Sequence, residues 1–137
     1  MLRLAARDGD DLAIISAHMQ DALVRVSDMR YLAKTRQFAI VSNRFAWEAQ
    51  PSAERRRSGL HFDHVLSVKQ QGIAGLNKGD ILSLLSITFE EGNAPEGTVV
   101  LTFSAGWSIR LLVEYLDLHL KDLGGAWATD FTPKHDA

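Results

Sequence analysis

Three runs of apolar and polar alternation occupy the second half of the chain. Over 81–90, Ile81, Leu85, Ile87 and Phe89 share one parity, with Ser83 as the polar member. Over 98–104 the shared positions are Val99, Leu101 and Phe103, and over 108–114 they are Ile109, Leu111 and Val113. Side chains alternate across a strand with period two, so each run predicts a half-buried β-strand. Gly92, Pro95 and Gly97 mark the first reversal and Gly106 the second, which predicts consecutive antiparallel pairing.

The first half carries the same signals less evenly. Leu2-Arg3-Leu4 is a short opening strand, and Asp8-Gly9-Asp10-Asp11 reads as a helix start. Carboxylates accept the free amides of a first turn and suit the positive end of the helix dipole, which is the simpler account of this acidic cluster than a metal or phosphate site. Leu12, Ile15, Met19 and Ala22 then form a stripe at helical spacing, predicting a helix over 11–23. Strands follow over 24–32 and 37–47, joined by the polar turn 33–36. Phe38 and Ile40 share one parity while Val41, Phe45 and Trp47 share the other, which predicts a bulge near Ser42 and Asn43. A long strand over 58–70 carries Leu60, Phe62, His64, Leu66 and Val68 on one face. After Val113, Leu116, Leu120 and Leu123, led by Leu112, predict a closing helix over 114–123 that Gly124-Gly125 stops. Trp127 and Phe131 are expected to fold back onto the body.

Together these elements predict an α+β fold. It is an antiparallel meander of six to seven strands, curved or closed in part into a barrel, with a helix from each end of the chain packed on it. The pleckstrin-homology-like barrel, with its single closing helix, is the known architecture most similar to this order, and the likeness concerns fold alone.

The composition of the 137 residues, 46% hydrophobic and 23% charged, predicts a single globular domain over 1–137. A formal net charge of −2 gives no overall attraction to nucleic acid or an anionic membrane. The absence of cysteine removes disulfides, thiolate nucleophiles and thiolate metal sites, and suits a cytoplasmic chain. No apolar run reaches the length of a signal peptide core or a membrane span, so neither is expected.

Candidate chemistry lies in two places. In His61-Phe62-Asp63-His64, the two histidines point to opposite faces of a strand. His61 and Asp63 share a face at about 6.5–7 Å between Cα atoms and form the weaker, pocket-type candidate. His64, on the apolar face, is expected to be a buried histidine satisfied by one hydrogen bond. With His18, His119 and His135 assigned to helices or the tail, no third ligand is at hand, and neither a metal nor a cofactor is expected. The glycine-rich link over 71–80 lacks the Gly-Lys-Ser/Thr order of a phosphate loop and precedes a strand. No nucleophile elbow, zinc-protease motif or dinucleotide fingerprint occurs, so nothing in the sequence argues positively for an enzyme.

The second place is 43–57, where Arg44, Arg55, Arg56 and Arg57 outnumber Glu48 and Glu54 in an otherwise acidic chain, beside Phe45 and Trp47. Guanidinium forks with aromatic rings are the equipment of interfaces. Arg44, Trp47, Arg55, Arg56 and Arg57 are therefore the expected binding surface, for an acidic protein or a phosphate-bearing ligand.

The segment 11–22, then Asn43-Arg44-Phe45-Ala46-Trp47-Glu48, then 55–65 with its Leu60-His61-Phe62-Asp63, resembles a small alphaproteobacterial family known as domain of unknown function 2948. The resemblance spans nearly the whole chain, including 97–125, and implies a bacterial, cytoplasmic setting. It implies no reaction, cofactor or catalytic residue. Two functions stay open: a non-catalytic binding or adaptor domain using the arginine and aromatic surface, or a small-molecule binder or enzyme with a pocket in the curved sheet near His61 and Asp63.

Overall fold

The computed structural model describes residues 2–46, 55–72 and 75–123. Trp47, the Gly124-Gly125 stop, Trp127 and Phe131 lie outside the described residues. Within them the order is β1 (Arg3–Ala6), α1 (Gly9–Met19), β2 (Ala22–Leu32), β3 (Gln37–Phe45), β4 (Arg55–Phe62), β5 (Val65–Gln71), β6 (Ile81–Glu91), β7 (Gly97–Phe103), β8 (Ser108–Val113) and β9 (Leu118–Asp122). The strands form one antiparallel sheet in the order β1-β9-β4-β3-β2-β6-β7-β8-β5. The antiparallel, α+β expectation holds in broad terms. Two finer ones do not: there are nine strands among the described residues, and the sheet has free ends at β1 and β5, so it is not a closed barrel.

Helix α1 starts where its acids predict, with the Asp8 carboxylate accepting the Asp11 amide at 2.8 Å. Leu12, Ile15 and Met19 face the core. It ends before 23 because Asp21 takes a left-handed φ of 65° and donates its amide to the Leu84 carbonyl, which commits Ala22 to pairing with Leu84 in the sheet.

The closing helix is a strand. Leu118, Leu120 and Asp122 point inward with His119 and Lys121 between them, and β9 inserts between β1 and β4. Leucines at 116, 118 and 120 satisfy a period of two as well as 112, 116, 120 and 123 satisfy a helical one, and the empty place between two strands decides the matter.

The predicted bulge in β3 is also overturned. Its register against β4 runs unbroken from Phe38↔Phe62 to Phe45↔Arg55, and the shift falls in β2 between Val24 and Met29. Phe38 and Ile40 continue on the same inward face into Ser42 and Arg44, so a polar pair, not a change of face, explains the sequence pattern. A further shift between Leu84 and Ser86 puts Leu82 and Leu84 in the core with Ile87, and leaves Ile81 and Leu85 exposed. The inward residues of β7 and β8, Val99, Leu101, Phe103, Ile109, Leu111 and Val113, are as predicted.

The predicted long strand over 58–70 is two strands separated by a corner at Asp63 and His64. His64 adopts φ 59°, which flips the parity so that Val65 is buried and Leu66 exposed. The chain turns the same corner between β8 and β9. The Asp63 amide donates to the Asp117 carbonyl at 2.9 Å, and the Glu114 amide to the His64 carbonyl at 3.0 Å, so both ribbons bend together. Among the described residues, no helix is long and apolar enough to cross a membrane.

Candidate functional site

The corner gathers three of the chain's five histidines, with two aspartates and a tyrosine. His61 on β4 and His119 on β9 are register partners, held outward because their neighbours Leu60, Phe62, Leu118 and Leu120 fill the core. Their rings stack with centroids 4.8 Å apart and planes 18° from parallel. Next along each strand are the two aspartates. His61 Nδ1 lies 3.1 Å from Asp63 Oδ1, which also accepts Gln37 Nε2 at 2.8 Å. His119 Nε2 lies 2.9 Å from Asp117 Oδ1 and 3.7 Å from Asp63 Oδ2. His64 Nε2 faces Asp117 Oδ2 at 3.5 Å and the Tyr115 hydroxyl at 2.7 Å. Partial burial pushes the Asp63 carboxyl up, but the Gln37 hydrogen bond, the charge and hydrogen bond of His61 and the charge of His119 outweigh it, holding the group below its ordinary value.

A groove of about 600 Å³ leads away from this corner, between the start of α1 and the β6–β7 hairpin. Ala13 and Phe89 give it an apolar side, backed by the buried Leu12 and Ile87. Gly97 lies beneath the Phe89 ring, where a Cβ would sit 2.7 Å from the Glu90 carbonyl, so a larger residue would displace that wall. Arg7 and Tyr115 belong both to the groove and to the cluster, since Arg7 Nε lies 3.5 Å from Asp117 Oδ1. Arg7 and Tyr115 thus link the groove's lining to the cluster beside it.

A family model described as a protein of unknown function, DUF2948, matches residues 2–135. The chain belongs to that family. No curated protein matches it.

Of the residues singled out in the DUF2948 chain's sequence, His61 and Asp63 do sit together, in a larger constellation than foreseen. His64 is not the buried histidine expected; it is partly exposed and engages Tyr115 and Asp117. The expectation that no further ligand lies near His61 rested on placing His119 in a helix. With β9 a strand, Asp63, Asp117 and His119 bring their ligand atoms within 4.8 Å of one another. The overlooked signal is a reversal: His61-Phe62-Asp63 and Asp117-Leu118-His119 are mirror orders, and antiparallel pairing of mirror orders sets like beside like.

The arginine surface divides. Arg44 is wholly buried, its Nε donating to Asp122 Oδ1 at 2.9 Å and a terminal nitrogen to Oδ2 at 2.8 Å. Ser58 Oγ donates to the same carboxylate at 2.7 Å and the Leu2 amide at 3.1 Å. Burial raises the Asp122 carboxyl, yet the hydrogen bonds of Arg44, Ser58 and Leu2 with the Arg44 charge carry it below its usual value. Arg44 is thus an internal tie and no part of an exposed surface. Arg55, Arg56 and Arg57 lie on β4 and not in a loop, so they alternate. Arg56 turns to Asp122, with 3.9 Å between charged atoms. Arg55 points the other way, donating to the Asp21 and Asn43 carbonyls at 3.3 and 3.1 Å. Arg57 lines a hollow of about 350 Å³ with Arg25, Asp28 and Asn43.

Proposed function

We propose that this chain is a small-ligand-binding domain of the bacterial cytoplasm, with its site at the sheet corner and the adjoining groove. The observation that carries the proposal is the convergence of three histidines and two aspartates around Tyr115, which also lines the adjoining half-apolar groove. Pockets that bind small molecules combine apolar walls with a few placed polar groups. The ligand class is a small amphipathic molecule, its apolar body against Ala13 and Phe89 and its polar end at Tyr115, Arg7 and the corner. No catalytic step is part of the proposal. Ala13 is exposed and lines the groove, so Ala13→Trp fills it without disturbing the core. Ligand-observed NMR with a library of amphipathic fragments should give hits that vanish in Ala13→Trp; hits that persist unchanged defeat the assignment.

A second reading rests on the hollow that holds Arg25 and Arg57, with Arg55 on the same face of β4. Guanidinium groups so placed suit an acidic protein or phosphate-bearing partner. Its support is narrower than the sequence promised, because Arg44 and Arg56 do not contribute to that face.

A further inference from the structure

We infer that the corner binds one first-row divalent metal ion, with Asp63 Oδ2, Asp117 Oδ1 and His119 Nε2 as its protein ligands. The inference deepens the proposed ligand site and rests on that reading only for what occupies the ion's open positions.

The geometry is close to what an ion needs. Bonds of about 2.0–2.2 Å to nitrogen and oxygen imply donor atoms roughly 3.0–3.5 Å apart in tetrahedral or octahedral arrangements. His119 Nε2 stands 2.9 Å from Asp117 Oδ1 and 3.7 Å from Asp63 Oδ2, which brackets that range. All three donors come from strand ends fixed by the paired amides of the corner, so little chain entropy opposes their convergence.

The outer contacts point the same way. Each aspartate presents one oxygen to His119; the second oxygen of Asp63 is held by hydrogen bonds, and that of Asp117 lies in a longer contact with an imidazole. Asp63 Oδ1 accepts Gln37 Nε2 and meets His61 Nδ1, while Asp117 Oδ2 faces His64 Nε2. Ligating carboxylates oriented by hydrogen bonds through the second oxygen are the usual companions of a metal site. The stacked His61 ring limits the swing of the His119 imidazole. One imidazole and two carboxylates favour zinc or manganese over the all-oxygen shells of calcium and magnesium.

One group opposes the ion: Arg7 Nε, 3.5 Å from Asp117 Oδ1. Its side chain is 73% exposed and can withdraw along the groove rim. Arg7 thereby separates the proposal from a purely structural ion network. If the cluster is only a network of ion pairs, Arg7→Gln removes one of its members and creates no affinity for a cation. If it is a metal site, Arg7→Gln removes a competing charge and tightens binding.

The test is calorimetric titration of ZnCl2 and MnCl2 into the full chain, without a histidine tag and after chelator treatment, in a non-coordinating buffer at neutral pH. One equivalent is expected, about tenfold or more weaker in Asp63→Asn and in His119→Ala and tighter in Arg7→Gln. Should a variant fold poorly, Co2+ absorption on the wild-type chain reads the ligand field directly, and a one-to-one visible spectrum supports the site. Substoichiometric binding, wild-type affinity in both ligand variants, or a Co2+ spectrum unchanged from that of the free ion overturns it. The titration contains no groove ligand, so its failure and a failed fragment screen are independent results.

Discussion

Arg44 and Asp122 meet as a closed fork on the inward side of β3 and β9, two hydrogen bonds of 2.9 and 2.8 Å between side chains at 0% and 4% exposure. The fork also ties Leu2 to β9, because the Leu2 amide and the Leu2 carbonyl both bond to Asp122, through its side chain and its backbone amide. A charge this deep is tolerated only when paired, and removing one partner strands the other. Arg44→Ala and Asp122→Ala should each cost about 3–5 kcal/mol, read by urea denaturation. Replacing both with apolar residues of similar volume should recover much of that loss. A double variant that loses the sum of the two single losses would mean that the two residues act independently and that the tie is worth little.

The same fork sets an acid dependence. Asp122 in the fold titrates below its ordinary value, so the fold binds fewer protons there than the unfolded chain does. Its contribution is complete above the unfolded value of about 3.9 and is lost as pH falls from there through the lowered folded value. Stability of the wild-type chain relative to Asp122→Asn should therefore be constant from pH 7 to about 5 and shrink below about pH 4. A gap that widens on acidification would reverse the sign of this argument.

Much of the sheet could be read in advance because β7 and β8 obey one rule without interruption: Val99, Leu101, Phe103, Ile109, Leu111 and Val113 all face in. Failures came where two periods fit the same residues or where a polar residue faced the core. Leu116 and Leu120 serve a helical stripe with Leu112 and Leu123 and a strand alternation with Leu118, and only the vacancy beside β4 discriminates. Arg44 was given to the surface by its charge, although its parity with Phe38 and Ile40 placed it inside with Ser42. Half of the candidate site, His61 and Asp63, was legible from shared parity. The other half depended on β9 being a strand, since Asp117 and His119 reach the corner through pairing that is remote in sequence.

Tyr115 and His64 give a test of the groove as a single unit. The hydroxyl and Nε2 are 2.7 Å apart and the rings are 4.2 Å between centroids, at an exposed position. Tyr115→Phe keeps the ring and deletes the hydroxyl, so it should leave stability nearly unchanged and weaken fragments that place a polar end at the corner. Fragments bound only along Ala13 and Phe89 should be unaffected. Uniform loss of both classes, measured by NMR titration, would show that the polar end contributes no selectivity.

Strand alternation makes its own prediction for the three consecutive arginines. Arg56 shares the face of Ser58 and approaches Asp122 at 3.9 Å, whereas Arg55 is exposed on the opposite face. Charge reversal at Arg56 therefore puts a carboxylate beside a carboxylate at the edge of a buried fork, where repulsion is poorly screened. Reversal at Arg55 meets only the Asp21 and Asn43 carbonyls in open solvent. Arg56→Glu should lower the melting temperature measurably, and the loss should ease as pH falls toward the carboxylate range, where the introduced acid takes up a proton. Arg55→Glu should change stability by less than about 0.5 kcal/mol, as exposed substitutions do. Partner binding through the arginine face, if measured by pull-down, should respond to Arg55→Glu and not to Arg56→Glu once the latter's loss of fold is allowed for. Equal destabilisation by the two reversals would mean that the arginines share one face after all, and would return the chain to a loop of the kind that three adjacent charges first suggest.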